Sequence, residues 1–117
     1  MHDVIVVGAG PAGSQTAASL AQRGYTVLVL EEHPQIGVPT NCSGLIGAEA
    51  FERFDLPRDS VIRGFNSATF FSPKGSCATV GADRVMAYVV RRCEFDQTMA
   101  QRAIARGASY LLRVRCI

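Results

Sequence analysis

Val4-Ile5-Val6-Val7-Gly8-Ala9-Gly10-Pro11-Ala12-Gly13, followed further on by Val27-Leu28-Val29-Leu30-Glu31, is the stretch that decides the fold. An apolar strand runs into a glycine turn, an Ala-rich segment follows, and a second apolar strand ends on an acid. Three glycines alone are weak evidence, but this order of elements is the context that a dinucleotide-binding fingerprint requires. The stretch therefore predicts an α/β fold with a Rossmann-like βαβ unit and a parallel sheet.

The residue types in the turn account for its expected chemistry. Gly8 lets the chain leave the strand sharply, and Gly10 has no Cβ, so the backbone can approach a pyrophosphate. Gly13 lets the helix pack closely on the strand. Pro11 and Ala12 form the first helical turn, whose unpaired N–H groups and partial positive charge attract phosphate. The alternative is a glycine turn that binds nothing, and the correct spacing of every element disfavours it.

Two acidic residues end the second strand. We expect Glu31 to accept hydrogen bonds from an adenosine ribose, and we place the adjacent Glu32 in the same cofactor-binding set. A carboxylate at this point repels a ribose phosphate, so the pattern disfavours an NADP-type adenosine.

The remaining elements are predicted from periodicity and turn residues. Residues 33–44 form a loop, and residues 45–56 form a short helix that buries Leu45, Ile46, Phe51 and Phe54. Ser72-Pro73-Lys74-Gly75 suits a β-turn, which predicts an antiparallel hairpin. The first strand, apolar on both faces, is expected to be central in its sheet. The predicted strands are 3–7, 26–31, 64–72, 76–81, 85–90 and 109–114, and the other two helices are 11–23 and 93–106.

Composition narrows the function classes. The 117 residues carry a net charge of +2, and the basic side chains are neither dense nor interleaved with aromatics, so nucleic acid is not an expected partner. The four cysteines form no C-x-x-C pair, and His2 and His33 are interpreted as surface residues, so no metal site is predicted. The first apolar run is too short to span a bilayer, and a cytoplasmic protein with reduced thiols is expected.

Two further segments give the sequence a family resemblance. Val38-Pro39-Thr40-Asn41-Cys42-Ser43-Gly44 resembles the Cys-containing loop of the geranylgeranyl reductase family, and Tyr88 to Asp96, continuing to Arg106-Gly107-Ala108, resembles that family's Arg-x-x-Phe-Asp segment. The glycine turn resembles the FAD-binding opening of the same proteins. The resemblance implies the N-terminal part of a p-hydroxybenzoate-hydroxylase-like flavoprotein that uses FAD as its cofactor.

The resemblance also implies an activity. The family uses reduced flavin to saturate isolated C=C bonds of geranylgeranyl chains in membrane lipids or in chlorophyll and quinone precursors, while the protein supplies position and electrostatics. A polyprenyl substrate, an unidentified electron donor and peripheral contact with a membrane are therefore expected. Arg92 matches a family arginine that approaches FAD, and its guanidinium is expected to pair with the diphosphate. Cys42 is either a proton donor near the flavin or a small packing residue.

Family members are several times longer than this sequence. Residues 1–117 are thus expected to be the N-terminal part of an FAD-binding domain, with an insertion over about 33–92. Weak or absent FAD binding, no turnover, and self-association through an uncovered sheet edge are expected of such a part. Three alternatives remain: an FAD-dependent monooxygenase, an electron-transfer dehydrogenase, and a non-catalytic nucleotide-binding module. A soluble NAD dehydrogenase is least favoured, because the long insertion does not suit it.

Overall fold

The computed structural model describes all residues, 1–117, and they form two compact units. The first unit combines Met1–Asn41 with Arg92–Ile117, and the second is Cys42–Arg91. The strands are β1 Val4–Val7, β2 Val27–Glu31, β3 Leu45–Gly47, β4 Val61–Phe65, β5 Ser67–Phe71, β6 Cys77–Gly81, β7 Ala87–Val90 and β8 Ser109–Leu112; the helices are α1 Pro11–Gln22, α2 Ala48–Arg53 and α3 Arg92–Ala105.

The first unit contains the predicted parallel sheet. Its strand order is β1-β2-β8, with Val4 opposite Val27 and Leu28 opposite Ser109. Helices α1 and α3 pack against each other, and small side chains on both allow a close approach. The buried core consists of Ala9, Ala17, Ala18, Val27, Val29, Ala103 and Ala108. The predicted α/β class with a βαβ opening is confirmed.

The position of β1 differs from the prediction. The central strand is β2, and β1 lies at an edge of the three-stranded sheet. Ile5 is 59% exposed and Val7 is 62% exposed, whereas Val4 and Val6 pack against the core. Because successive side chains of a strand point to opposite faces, one face of β1 is buried and the other is open.

The second unit consists of antiparallel strands and the short helix α2. Strands β3, β7 and β4 form one sheet, with β7 in the middle, and β5 pairs with β6. Phe51 of α2 is fully buried and meets the ring of Tyr88 edge to face, with centroids 5.2 Å apart. This pair anchors α2 on the sheet.

The predicted helix over 45–56 is wrong at both ends. Leu45 and Ile46 pair with Val89 and Tyr88 as part of β3, and the helix covers only Ala48–Arg53. Leu45 and Phe54 are exposed, contrary to the prediction. The reason is that pairing with a strand far along the chain outweighs the local helical pattern.

The hairpin is confirmed, with a change of bounds. The amide of Gly75 donates to the carbonyl of Ser72 at 3.0 Å, which closes the predicted turn between β5 and β6. Residues 61–65 form the separate strand β4, which pairs with β7. On α3, Ile104 is 51% exposed. None of the three helices combines the length and apolar character needed to cross a bilayer.

Candidate functional site

The glycine turn joins β1 to α1 through a backbone that only glycine adopts easily. Gly8 has a φ of +97°, and its amide donates to the carbonyl of Leu30 at 2.8 Å, which holds the turn beside β2. Gly10 precedes the first residue of α1, and no side chain caps the helix. The amides of Ala12 and Gly13 lie in the first helical turn, where a helix offers no carbonyl partner. The turn therefore presents donors and the positive end of a helix dipole.

Gly10 and Gly13 are glycines for different reasons. A Cβ on Gly10 would meet no atom within 4 Å, so the space next to it is open. A Cβ on Gly13 would lie 2.0 Å from the carbonyl oxygen of Gly8, which leaves no room for any side chain. Gly13 thus serves the packing of the helix on the turn, while no neighbouring atom would block a side chain at Gly10.

The Glu31 side chain is hydrogen-bonded directly to the glycine turn. Its Oε2 accepts the amide of Ala9 at 2.8 Å, and its Oε1 accepts the amide of His33 at 3.0 Å. The ring Nδ1 of His33 lies 2.6 Å from the same Oε1. The Glu31 side chain is 12% exposed. Burial alone raises the pKa of Glu31, but these hydrogen bonds and the nearby imidazole outweigh it, so the pKa is lowered and the carboxylate is ionised.

His33 is therefore more than the surface residue that the sequence predicted. It is half-buried and contacts the one acidic side chain that reaches the turn. The separation of two positions along an irregular segment gave no periodic signal for this contact. Only the fold of residues 31–33 brings the ring back onto the carboxylate.

Two further residues near the turn carried no role in the prediction. Ser14 is completely buried, and its Oγ donates to the carbonyl of Ala9 at 3.2 Å. The hydroxyl of Tyr110, on β8, donates to Ser14 Oγ at 3.0 Å. Burial raises the pKa of Tyr110, with the bond to Ser14 acting in the opposite direction, so the phenol is neutral. No sequence motif connects residues so distant along the chain.

The other predicted site residues have contacts of their own. Glu32 is exposed and lies 3.6 Å from the guanidinium Nε of Arg115. Arg92, at the start of α3, donates from Nε and from a terminal nitrogen to the two carboxylate oxygens of Asp96, at 2.8 and 3.0 Å. Cys42 is exposed in the second unit, and its Sγ accepts the amide of Gly44 at 3.5 Å.

The structure thus brings together the glycine turn, with Gly8, Gly10, Pro11, Ala12 and Gly13, and the carboxylate of Glu31. It gives Glu32 and Arg92 ionic partners of their own within the first unit. The described residues include no group of three or more His, Cys, Asp or Glu side chains that could hold a metal ion.

Comparison with known proteins identifies the family of the chain. The profile of a family described as FAD dependent oxidoreductase matches residues 3–100. A digeranylgeranylglycerophospholipid reductase of Methanocaldococcus jannaschii is 36% identical over 119 aligned residues, which cover 100% of this chain and 30% of that protein. Digeranylgeranylglycerophospholipid reductase 2 of Methanopyrus kandleri is 39% identical over 108 residues, covering 91% of this chain and 26% of that protein. The chain spans about 30% of the length of such curated relatives.

Solved structures share the fold. A geranylgeranyl bacteriochlorophyll reductase-like protein from Thermoplasma acidophilum superposes with a TM-score of 0.86 at 27% identity, covering 96% of this chain and 30% of that one. An aklavinone-11 hydroxylase in complex with FAD and aklavinone gives a TM-score of 0.70 at 21% identity, covering 99% of this chain and 26% of that one, and shows the fold alone.

The residues of the turn fit the adenosine diphosphate half of FAD. The space beside Gly10 would be filled by a Cβ, the first-turn amides carry no side-chain cap, and Glu31 is ionised next to them. Phosphate and ribose require donors and an acceptor of these kinds. The chain belongs to the FAD dependent oxidoreductase family, whose cofactor is FAD, and it is similar to the geranylgeranyl reductases within that family.

Proposed function

We propose that the glycine turn binds the adenosine diphosphate half of FAD, with the diphosphate against the amides of Ala12 and Gly13 and the ribose at Glu31. The open space beside Gly10 at an uncapped helix N-terminus is the observation that carries this proposal. The positive φ of Gly8 sets the direction in which the chain leaves β1. Pro11 begins the helix without adding an N–H that would need a partner. The ionised state of Glu31 excludes a ribose phosphate by repulsion.

Three other side chains enter the proposal through the family resemblance. Arg92 supplies positive charge for the diphosphate, and its pair with Asp96 holds the guanidinium in a defined orientation. Glu32 adds an acceptor near the ribose. Cys42 acts at the flavin as a proton donor or packs there as a small side chain. Its side chain is exposed in the second unit, which is compatible with both roles.

We further propose that the protein takes part in the reduction of C=C bonds in polyprenyl chains of lipid or pigment precursors. Support comes from relatives named digeranylgeranylglycerophospholipid reductase and from a neighbour named geranylgeranyl bacteriochlorophyll reductase-like. When bound at the glycine turn, reduced FAD would supply the hydride for one carbon of the double bond, and a proton donor would supply the proton for the other carbon. The electron donor that reduces the flavin is a separate component.

The location and assembly of the protein follow from the same proposal. We place the protein in the cytoplasm, in peripheral contact with a membrane, because polyprenyl lipids reside in membranes. Self-association through an uncovered edge of the sheet β1-β2-β8 is proposed as well, because an edge strand has unpaired backbone groups. Light scattering measures this directly, and a monomer at high concentration would contradict it.

Titration calorimetry with ADP and with FAD tests the cofactor site. Gly10→Val puts a side chain into the open space, and we expect affinity for both ligands to fall by at least about tenfold, equivalent to ~1.4 kcal/mol. Gly47→Val is a matched control: Gly47 also precedes a helix, has an extended backbone and has no atom within 4 Å of a built Cβ. Equal binding by Gly10→Val and the wild type would refute the assignment of the turn.

The reaction is tested separately. The protein is mixed with FAD reduced by dithionite and with a geranylgeranyl-chain phospholipid, and the lipid is analysed by mass spectrometry. Lipid that has gained pairs of hydrogen atoms would support the proposal and contradict the expectation that this part alone gives no turnover. A smaller yield with Cys42→Ala would support the thiol as the proton donor. A parallel reaction is opened to air once the dithionite has been consumed, and hydroxylated lipid in it would instead favour the monooxygenase alternative.

A further inference from the structure

The contact between His33 and Glu31 has a consequence for how a ribose is recognised. We infer that His33 is a positioning residue that occupies one oxygen of the Glu31 carboxylate, so that the ribose is recognised through a single hydroxyl on the other oxygen. The inference rests on the proposed binding of adenosine diphosphate at the turn. It adds which oxygen of Glu31 contacts the ribose and how many hydroxyls are recognised.

The hydrogen bonds of the carboxylate define what is left for a ligand. Each oxygen of an ionised carboxylate accepts about two hydrogen bonds. Oε1 receives the His33 amide at 3.0 Å and faces the His33 ring at 2.6 Å, so both of its acceptor positions are used. Oε2 receives only the amide of Ala9, at 2.8 Å. One acceptor position therefore remains, and it lies on the oxygen next to the glycine turn.

The segment that carries His33 is fixed by the chain beyond β8. The amide of Arg113 donates to the carbonyl of His33 at 3.3 Å, and the amide of Val114 donates to the carbonyl of Glu31 at 2.9 Å. These bonds hold both residues in place from one side. The carboxylate is thus held at both oxygens, by the turn and by His33, and it cannot rotate to offer two acceptors without breaking one of these contacts.

The ring of His33 bonds to the carboxylate through Nδ1 as a donor. The hydrogen on Nδ1 is required because the carboxylate is ionised and offers only acceptors. Both the neutral ring with its proton on Nδ1 and the doubly protonated ring meet this requirement. A side chain with an amide nitrogen at the same place, as in asparagine, preserves the donor, whereas alanine removes it.

A two-hydroxyl comparison tests the inference. Dissociation constants for ADP, 2′-deoxy-ADP and 3′-deoxy-ADP are measured by calorimetry with the wild type, His33→Ala, His33→Asn and the exposed-histidine control His2→Ala. In the wild type we expect one deoxy analogue to bind about tenfold more weakly than ADP and the other within about twofold, because only one hydroxyl contacts the carboxylate. His33→Ala should reduce the difference between the two analogues to within about twofold, and His33→Asn should restore it.

Each outcome decides a separate question. If the wild type does not bind ADP, the proposed function fails, and the inference fails with it. If the wild type binds ADP but His33→Ala keeps the same difference between the analogues, only the role of His33 is refuted. A merely structural role would weaken all three ligands equally and leave the ratio unchanged. Urea unfolding of each variant shows whether the fold is retained.

Discussion

The hydroxyl of Tyr110 donates a hydrogen bond of 3.0 Å to the Oγ of Ser14, and that Oγ donates in turn to the carbonyl of Ala9. The last strand of the sheet is thereby connected to the glycine turn through one buried hydroxyl. Because Ser14 is completely buried, each of these polar groups depends on the others for its partner.

Removing the hydroxyl of Tyr110 and removing that of Ser14 should lower the free energy of unfolding by different amounts. Tyr110→Phe removes one donor and leaves Ser14 bonded to Ala9, so we expect a loss of about 1 kcal/mol in the free energy of unfolding. Ser14→Ala also leaves the Ala9 carbonyl without its partner, so we expect about 1–3 kcal/mol. Urea unfolding of the two single variants and the double variant measures the coupling. A double variant whose loss equals the sum of the single losses would contradict a direct interaction.

Gly13→Ala and Gly10→Ala should differ in their effect on the free energy of unfolding. A Cβ at Gly13 would collide with the Gly8 carbonyl at 2.0 Å, so the higher helix propensity of alanine is outweighed and stability falls by about 1–3 kcal/mol or more. A Cβ at Gly10 meets no atom, so stability should change by less than about 0.5 kcal/mol. Thermal or urea unfolding of both proteins measures this. Equal destabilisation by the two substitutions would contradict the distinction.

Gly37 and Gly24 form a second matched pair. Both have positive φ, +80° and +90°, so alanine at either costs about 1 kcal/mol in backbone strain. A Cβ at Gly37 would also lie 2.8 Å from the Cα of Cys93, whereas a Cβ at Gly24 meets nothing within 4 Å. We expect Gly37→Ala to lower the free energy of unfolding by at least about 1 kcal/mol more than Gly24→Ala does. The same loss in both would mean that the loop moves away from α3 without cost.

Acid should remove the contribution of Glu31 to stability. Its pKa is lowered in the folded protein, so its stabilising effect is fully present above the unfolded value of about 4.3 and disappears as the pH falls through the lower folded value. Urea unfolding of the wild type and Glu31→Gln between pH 7 and pH 3 measures the difference between them. That difference should be largest at neutral pH and shrink in acid. Glu32→Gln, at an exposed position, should show little change throughout.

The pair between Arg92 and Asp96 should respond asymmetrically to truncation. Asp96 is almost fully buried, so Arg92→Ala leaves a buried carboxylate without its two bonds, and we expect a loss of about 3 kcal/mol. Asp96→Ala leaves an arginine that is 21% exposed and can turn toward water, so its cost should be smaller. Arg106→Ala at an exposed position of the chain is the control. Urea unfolding that gave the reverse order would show that Asp96 is not held by Arg92.

The sequence predicted the elements whose signals are local. The apolar runs at β1 and β2, the glycine spacing between them, and the Pro-Gly turn of the hairpin each specify backbone geometry over a few neighbouring residues. Gly8 illustrates this well, because a strand that must turn into a helix at that point needs a positive φ. The predicted α/β class, the FAD fingerprint and the family resemblance all came from such short-range patterns.

What depends on distant pairing was missed. Leu45 and Ile46 have a pattern compatible with a helix, but pairing with β7 places them in a sheet. Ile5 and Val7 looked like the interior of a central strand, yet β1 lies at the edge of its sheet and the face that carries these two side chains is exposed. In both cases the neighbour that decides the outcome is far away in the sequence, and the local pattern contains no information about it.

The features of the candidate site also fall into those that the sequence determines and those that depend on the tertiary structure. The amino-acid sequence by itself determined where the glycine turn and the acidic residue Glu31 would stand, because both follow from spacing along one βαβ unit. Only the tertiary structure decided that His33 and Ala9 occupy the Glu31 carboxylate and that Tyr110 supports Ser14. Hydrogen bonds between side chains are set by positions to within a fraction of an ångström, and those positions exist only once the strands and helices have packed together.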